Sequence, residues 1–423
     1  MTPGIRVTFR TTGPKSNFFG YYGHSPLNRS GTKLLAHQTT FDDREALADD
    51  RATVGYWDLS TRSFHPIGET GAFNMQQGAM LQWLPPDFQE KIIYNDVEDG
   101  QYVSRILDLA DGSTRTIPFS VYAIHPSGKT ALASNNERLY FCRPGYRYMS
   151  VINDRWDNPV SYDDGIFQVD LETGEACLLV STGAIAERDP VGGLDKMDNY
   201  LEIFTWNPSG TRFAFFHRWN DAKGYHTTRF YTAAADGSDL FMFPDTGFYS
   251  HYTWKNDQKL TIWAQHNPVH AELQAAVRKN RVLAALFRPP FRLIKKTMGS
   301  LGADSYLPHA DYLELVDGTH DIRLLAPDVL TRNGHNTWTR DQRWMLTDTY
   351  EDENSFRHLL LYDSDTGISH EIGRFFSPYN ATTYRCDLHP RFDHNEQLVI
   401  IDSAHDRGQR QIYVFDITDI LKG

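Results

Sequence analysis

Asp387 and His389 lie two positions apart in the segment YRCDLHPRF, directly before a Pro-Arg-aromatic run. In an extended chain alternate side chains point the same way, so this pair would face one side while Leu388 faces the other. A carboxylate and an imidazole on one side could share a metal ion or a substrate. The spacing equally suits the polar start of a strand, in which the histidine hydrogen-bonds the strand end. The elements around the pair decide between these interpretations.

Composition limits the class of protein. The chain has 423 residues, of which 40% are hydrophobic and 13% aromatic, enough for a buried core. A formal net charge of −12 argues against nucleic-acid binding over the surface as a whole. Cys142, Cys177 and Cys386 show no CxxC spacing, so neither a disulfide framework nor a thiolate zinc site is expected. MTPGIRVTFR does not resemble a signal peptide, and we expect a cytoplasmic protein.

A repeated pattern organises the whole chain. Strand-like runs that end in Asp and a turn occur seven times: GYWDLSTR at 55, RILDLADG at 105, IFQVDLETG at 166, YTAAADGSD at 231, LELVDGTH at 313, LLLYDSDTG at 359 and IYVFDITD at 412. Asp, Asn, Gly and Ser favour tight turns, whereas the β-branched and aromatic runs between them favour strands. Four short antiparallel strands per repeat make a propeller blade. The sequence therefore predicts an all-β fold, a seven-bladed β-propeller.

The repeats are longer than those of compact propellers. Their average spacing of roughly 60 residues exceeds the usual 40 to 50, so insertions must account for the difference. The largest insertion covers about 268–308 in blade 5, and we expect it to be helical and basic. The N-terminal strand IRVTFR should complete the last blade, because closing the ring removes exposed edge strands. Residues 1–423 would then form one domain.

Polar residues recur where the inner strand of each blade should begin. Inner strands line the central channel, so such residues from different blades meet near the axis. They are Tyr21, Tyr22, His24, Gln76, Gln77, His125, His251, His335, Asp387 and His389. Two imidazoles and a carboxylate are an established ligand set for divalent iron or manganese. We predict that His335, Asp387 and His389 bind a divalent metal ion and that His251 faces it.

Further polar side chains are candidates for substrate binding. We assign Tyr22, His24, Gln77 and His217 to this role. His217 and Arg218 lie in FAFFHRWND, on a second strand whose end could reach the channel mouth. Arg218 could pair with a carboxylate through its fork of donors, and a surface arginine is the structural alternative.

Three stretches of the chain resemble the oligogalacturonate lyases, a polysaccharide lyase family built on a cytoplasmic seven-bladed propeller. The stretches are SHYTW at 250–254, NGHNTWTRDQRWMLTD at 333–348, and LHPRF with the following IIDSAHDRGQRQIYVFD. The resemblance covers about the last four blades. It implies a lyase that acts on an anionic oligosaccharide, with His251 as the catalytic base and Arg218 as the partner of the sugar carboxylate.

The resemblance also implies a metal ion. In that family manganese is held by three histidines and a glutamine, and His335 and His389 would carry over as two of these ligands. The family's HxH reads Asp387-Leu388-His389 in this chain, and its glutamine falls at Tyr384. We expect manganese, with iron and zinc as alternatives. Cleavage would proceed by metal-assisted β-elimination next to a uronate carboxylate, whose charge must be neutralised while a base removes a proton.

A non-catalytic propeller is the alternative interpretation of the sequence. TolB-like proteins and the ring-forming domains of prolyl peptidases share such repeats, and the absence of a GxSxG motif argues against a serine peptidase. Residues 276–299, AVRKNRVLAALFRPPFRLIKKTMG, carry seven basic residues in an otherwise acidic protein. A basic amphipathic helix is typical of contact with a membrane surface or a protein partner. Such a scaffold would be peripheral to the inner membrane face; a lid and a disordered loop remain the alternatives for this segment.

Overall fold

The first strand, β1 (Arg6–Arg10), is the outermost strand of the last sheet, so the first and last strands of the chain meet in one blade. The computed structural model describes residues 5–152, 158–220, 226–266, 309–379 and 383–422. Within these ranges the strands form seven four-stranded antiparallel sheets, one per blade. The prediction of an all-β, seven-bladed β-propeller is confirmed.

The first three blades follow one another along the chain. Blade 1 contains β2 (Ser16–Phe18), β3 (Lys33–Thr39), β4 (Ala52–Asp58) and β5 (Ser63–Thr70). Blade 2 contains β6 (Gln82–Trp83), β7 (Lys91–Glu98), β8 (Gln101–Asp108) and β9 (Thr114–Ile117). Blade 3 contains β10 (Ala123–Ile124), β11 (Thr130–Ser134), β12 (Gly165–Asp170) and β13 (Ala176–Ser181).

The next three blades repeat this order. Blade 4 contains β14 (Asp198–Trp206), β15 (Arg212–Asn220), β16 (His226–Ala234) and β17 (Phe241–Met242). Blade 5 contains β18 (Tyr249–Trp254), β19 (Lys259–His266), β20 (His309–Val316) and β21 (Ile322–Leu324). Blade 6 contains β22 (Asn336–Trp338), β23 (Trp344–Asp348), β24 (Phe356–Asp363) and β25 (Ile368–Phe376).

The last blade closes the ring with strands from both ends of the chain. Blade 7 contains β26 (Arg391–Phe392), β27 (Leu398–Ser403), β28 (Gln411–Asp416) and β1. The antiparallel register of β1 and β28 pairs Arg6 with Asp416 and Arg10 with Tyr413. The expectation that the N-terminal strand completes the last blade is confirmed.

Short helices connect some of the strands. Among the described residues they are α1 (Asn136–Cys142), α2 (Thr182–Arg188), α3 (Thr418–Leu421) and a 3₁₀ turn at Leu194–Lys196. None of these helices is long and apolar enough to cross a bilayer. The basic insertion that the sequence places at 268–308 belongs to blade 5, between β19 and β20, and lies outside the described residues, as does its 276–299 segment.

Several of the repeated Asp residues close the turns between third and fourth strands. Asp58 Oδ1, at the end of β4, accepts the backbone N–H groups of Ser60 and Thr61 at 2.9 Å. Asp170, at the end of β12, accepts two backbone N–H groups at 2.8 Å in the same way. Hydrogen bonds from Ser60 and Thr61 lower the pKa of Asp58 to about 2. An ionised Asp is therefore well suited to these turns, because its carboxylate accepts the backbone N–H groups that follow.

Tryptophan fixes one end of four inner strands. The indole N–H groups donate to the preceding blade in four pairs: Trp83 to Pro26 O, Trp206 to Ala123 O, Trp254 to Thr205 O and Trp338 to Thr261 Oγ1, at 2.8 to 3.2 Å. All four tryptophans are buried. The C-terminal ends of the inner strands are thus tied to neighbouring blades, and the opposite ends of the same strands are where the chemically active residues lie.

Candidate metal centre and cavity

The three predicted metal ligands come together at the starts of two inner strands. His335 directly precedes β22 in blade 6, and Asp387 and His389 precede β26 in blade 7. One ligand atom from each residue lies within 4.8 Å of the other two. Each residue is at most 2% exposed, so the cluster belongs to the interior of the ring. The sequence prediction that these residues converge from different blades agrees with their positions.

Hydrogen bonding determines which nitrogen of His335 is available. Asp348, the last residue of β23, accepts the Nδ1 hydrogen of His335 through Oδ1 at 2.9 Å. The same carboxylate accepts the backbone N–H groups of His335 at 2.6 Å and of His389 at 3.2 Å. Nε2 of His335 is buried and has no hydrogen-bond partner among the described residues. This is the arrangement of a histidine ligand supported by an outer carboxylate.

His389 is held in an uncommon backbone conformation. Its φ angle is 43°, in the left-handed region that side-chain-bearing residues seldom occupy. Its Nδ1 lies 2.9 Å from Gly20 O in blade 1, a bond that requires the hydrogen on Nδ1, and its buried Nε2 again has no partner in the described part of the chain. Strained residues of this kind persist where the surrounding structure demands one orientation. Here the orientation turns Nε2 toward the cluster.

Asp387 is a buried carboxylate between two guanidinium groups. Arg385 Nε lies 2.7 Å from Oδ2, and Arg357 Nη1 lies 2.7 Å from Oδ1. Burial raises the pKa of Asp387, but the two arginines outweigh burial and hold the pKa well below its usual range. The group is therefore an ionised carboxylate, as a metal ligand must be.

His251 stands beside the cluster, as expected from the sequence. Its ring centroid lies 3.8 Å from that of His335. The Asn333 amide nitrogen donates to Ser250 Oγ at 3.1 Å, which leaves the carbonyl Oδ1 to face His251. Oδ1 therefore accepts a hydrogen from His251 Nδ1 at 3.0 Å. The Nε2 atom of His251 therefore keeps its lone pair. Burial, together with His335, lowers the pKa of His251 well below its usual value.

A cavity of about 400 Å³ opens beside His251. Its wall carries three arginines, three tyrosines and one carboxylate in addition to His251: Arg143, Arg218, Arg385, Tyr21, Tyr146, Tyr350 and Glu351, whose carboxylate pairs with Arg357. The metal cluster lies one side-chain layer beneath this wall, since the Tyr21 ring packs 5.1 Å from His389 and the His251 ring contacts His335. The cavity and the cluster together form the candidate site.

The arginines give one side of the cavity a positive surplus. Arg218, on β15, and Arg143, directly after α1, both pair with the buried carboxylate of Glu202, Arg143 at 3.1 Å. Burial raises the pKa of Glu202, but the two arginines more than compensate, and the pKa lies below its usual range. Two guanidinium groups therefore share one negative charge, which leaves this wall suited to an anionic group of a ligand.

The four residues assigned to substrate binding occupy other positions. Tyr22 and His24 line a second cavity of about 570 Å³, beside Trp83 and Trp206, and the Tyr22 ring also lies 5.0 Å from that of His335. Tyr22 also donates its hydroxyl to Tyr252 O at 2.9 Å. None of the four lines the first cavity in the described part of the chain, and their role in binding a substrate stays a prediction.

Gln77 and His217 are buried side chains. Gln77 Nε2 donates to the hydroxyl of Tyr122 at 2.8 Å. The ring of His217 packs 5.2 Å from Trp219, and neither of its nitrogens has a hydrogen-bond partner in the part of the chain that the structure describes. His217 points to the opposite face of β15 from its neighbour Arg218, as strand alternation requires.

Sequence reasoning missed several residues of the cavity wall. Arg143 and Tyr146 follow α1 inside blade 3, in a segment that the sequence marks only as an insertion. Tyr350 lies beyond the end of β23, and Arg385 lies two residues before Asp387. The position of Arg385 in YRCDLHPRF, with the same alternation that links Asp387 and His389, was the available signal for it.

Comparison with known proteins supports the fold. Neither a protein family model nor a curated protein matches this sequence. Solved structures do match. An oligogalacturonate lyase in complex with manganese is 15% identical, with a TM-score of 0.64 over 99% of this chain and 94% of that one. An oligogalacturonate lyase from Vibrio parahaemolyticus is 13% identical, with a TM-score of 0.60 over 98% of this chain and 93% of that one.

Propellers of other kinds are also similar. The β-propeller domain of the Trilobed protease from Pyrococcus furiosus is 10% identical, with a TM-score of 0.51 over 94% of both chains. The chain has the fold of the oligogalacturonate lyases. The resemblance drawn from the sequence is confirmed at the level of the fold, whereas activity must be argued from the site.

Proposed function

We propose that this protein is a lyase that cleaves a uronate-containing oligosaccharide by metal-assisted β-elimination. The observation that carries the proposal is the position of His251, which lines one cavity together with Arg143, Arg218 and Arg385. Its Nδ1 hydrogen is accepted by Asn333, so the lone pair lies on Nε2. A proton acceptor beside a positive wall is what this reaction requires.

The chemistry assigns a task to each group. β-Elimination removes the proton from the carbon beside a uronate carboxylate, and negative charge grows on that carboxylate as the proton leaves. Arg218 and Arg143 share the single charge of Glu202, so their remaining donors would stabilise the growing charge. His251 Nε2 would accept the proton. A cavity of about 400 Å³ falls within the range of small-ligand sites and would hold a short segment of oligosaccharide.

The cluster beneath the wall fits a divalent ion. His335 and His389 each offer a buried Nε2 without a hydrogen-bond partner in the described ranges, and Asp387 offers an ionised carboxylate. We propose manganese, with iron and zinc as alternatives, because imidazole and carboxylate together suit these ions. An ion bound there would add positive charge next to the cavity and help to neutralise the substrate carboxylate.

An absorbance assay tests the proposal. Elimination creates a conjugated double bond, so the protein with manganese should raise ultraviolet absorbance when it is mixed with its substrate from a panel of uronic oligosaccharides. His251→Ala should reduce the rate by on the order of 100- to 10,000-fold. His65→Ala is the matched control, since His65 is exposed on β5 of blade 1. A panel in which no uronate yields absorbance would contradict the proposal.

A separate proposal concerns the segment 276–299. Its seven basic residues in a chain of net charge −12 favour binding to an anionic membrane surface or an acidic protein partner. Binding to vesicles that contain anionic lipid should weaken as salt is added, because salt screens the attraction. The net charge of −12 for the whole chain argues against a nucleic-acid partner.

A further inference from the structure

The hydroxyl of Tyr350 lies 3.5 Å from Nε2 of His251, and both side chains line the same cavity. Tyr350 belongs to blade 6 and His251 to blade 5. Asn333 holds the two residues in place. Its backbone oxygen accepts the N–H of Tyr350 at 3.0 Å, and its side-chain Oδ1 accepts from His251 Nδ1 at 3.0 Å. A phenol and an imidazole from different blades are thus fixed as a pair.

Surrounding groups orient the Tyr350 ring. The guanidinium carbons of Arg357 and Arg385 lie 5.6 Å and 5.8 Å from its centroid. The His251 ring lies 5.7 Å away. Among the described residues, His251 Nε2 is the hydrogen-bond partner of the Tyr350 hydroxyl. The phenolic proton is therefore directed to the same part of the cavity as the lone pair of the base.

The proposed reaction needs an acid as well as a base. The sugar oxygen that departs in β-elimination is a poor leaving group unless it receives a proton. His251 enters the reaction with a lone pair on Nε2, and the guanidinium groups of arginine do not release protons in proteins. A tyrosine hydroxyl both donates and accepts hydrogen bonds and can transfer its proton.

We propose that Tyr350 is the general acid, which protonates the departing sugar oxygen while His251 removes the proton from the adjacent carbon. The inference rests on the proposed function. The electron pair of the broken C–H bond forms the carbon–carbon double bond, and the electron pair of the broken C–O bond leaves with the oxygen, which takes the Tyr350 proton. The imidazolium of His251 then returns its proton to the Tyr350 oxygen across their 3.5 Å contact. No net proton is gained or lost by the enzyme.

The proposed pair also has a stereochemical consequence. Because acid and base lie 3.5 Å apart on one wall, the mechanism favours a uronate whose proton and leaving oxygen depart from the same face of the sugar. The other tyrosines of the wall are less suitable. The Tyr146 hydroxyl accepts from Arg385 Nη2 at 3.1 Å, and the Tyr21 ring packs against His389 at 5.1 Å. Neither has a hydrogen bond to His251 in the described part of the chain.

The Tyr350→Phe variant removes the proposed acid and retains the proposed base, His251. The protein is incubated with a uronic oligosaccharide in D₂O, and two signals are followed: ultraviolet absorbance for elimination, and deuterium entering the recovered substrate beside the carboxylate, read by mass spectrometry. We expect Tyr350→Phe to lose elimination by about 100-fold or more and to keep deuterium exchange, which needs only the base. A nitrophenyl leaving group, which departs without protonation, should restore elimination by Tyr350→Phe to near the wild-type rate. His251→Ala should lose exchange and elimination with either leaving group.

Controls separate the possible failures. Tyr162→Phe is the matched control, because Tyr162 is exposed and remote from the cavity, and thermal midpoints verify folding of both variants. Loss of exchange together with elimination in Tyr350→Phe would mean that Tyr350 only positions His251, and full elimination by this variant would mean that it has no role; either result overturns the inference. If the wild-type protein shows neither exchange nor absorbance with any uronate, the proposed function fails, and the inference fails with it.

Discussion

His335 donates its Nδ1 hydrogen to Asp348 Oδ1 at 2.9 Å, and both side chains are fully buried. The Asp348 carboxylate also accepts the backbone N–H groups of His335 and His389. One residue at the end of β23 therefore positions candidate ligands from two blades. Such outer carboxylates orient imidazole ligands and fix the nitrogen that faces the metal ion.

Asp348→Asn should weaken metal binding. The asparagine amide replaces one of the two acceptor oxygens with an NH₂ donor, so at least one of the three N–H groups loses its acceptor and the orientation of His335 or His389 is weakened. We expect manganese affinity, measured by isothermal titration calorimetry, to fall about 10- to 100-fold. Asp363→Asn is the matched control, since Asp363 is a buried carboxylate of the same blade that pairs with Arg343 at 2.8 Å. Equal manganese affinities for the two variants and the wild-type protein would contradict this role.

The fold was accessible from sequence because its signals are local and repeated. An Asp such as Asp58 closes the turn after the third strand, and Asp170 and Asp363 repeat this arrangement in blades 3 and 6. The closing strand was also predictable, because a ring leaves one position for the N-terminal strand. The arrangement of the 28 strands among the described residues follows from this local pattern.

The candidate site was only partly predictable, because some of its residues lie outside the repeated strand pattern. His335 and His389 were found because the start of an inner strand is a fixed place in every blade. Tyr22 and His24 follow the inner strand of blade 1 and do not precede it, so they line a second cavity and not the one beside His251. Arg143 lies in a loop that is not part of the repeated pattern, so no periodic signal predicts that it reaches the cavity.

Arg218→Ala should impair use of a carboxylated substrate more than it impairs the fold. The buried Glu202 keeps Arg143 as a partner, so the loss of Arg218 does not leave that carboxylate unpaired. A charge-assisted hydrogen bond contributes about 1.5–3 kcal/mol, and its loss from the transition state should lower kcat/KM by about 10- to 100-fold. Steady-state kinetics measures the effect.

Arg212→Ala is the control for Arg218→Ala. Arg212 lies on the same strand, β15, but pairs with Asp239 at 2.7 Å and with Asp317, at the end of the strand remote from the cavity. Its removal should leave kcat/KM unchanged. Equal losses in the two variants would indicate a general effect of weakening β15, and the role of Arg218 in substrate binding would have to be abandoned.

His217 should make the folded state sensitive to acid. Burial, together with the charge of Arg229, lowers the pKa of His217 to about 3. An unfolded histidine takes up a proton near pH 6.5, so between pH 6.5 and about 3 the unfolded chain binds more protons at this position than the folded chain. The free energy of unfolding must therefore fall as the pH drops through this window, by up to about 1.4 kcal/mol per pH unit from this one group.

His217→Phe removes this dependence while keeping an aromatic ring in the buried position. Urea unfolding at pH 7, 6 and 5 should show that the variant loses less free energy of unfolding on acidification than the wild-type protein does. The difference should grow as the pH falls below 6.5, because protonation of the unfolded wild-type chain becomes progressively more favourable. His65→Phe, at an exposed position, should follow the wild-type slope. If His217→Phe and the wild-type protein lose stability equally between pH 7 and pH 5, His217 accepts a proton in the folded state and is not confined to its neutral form.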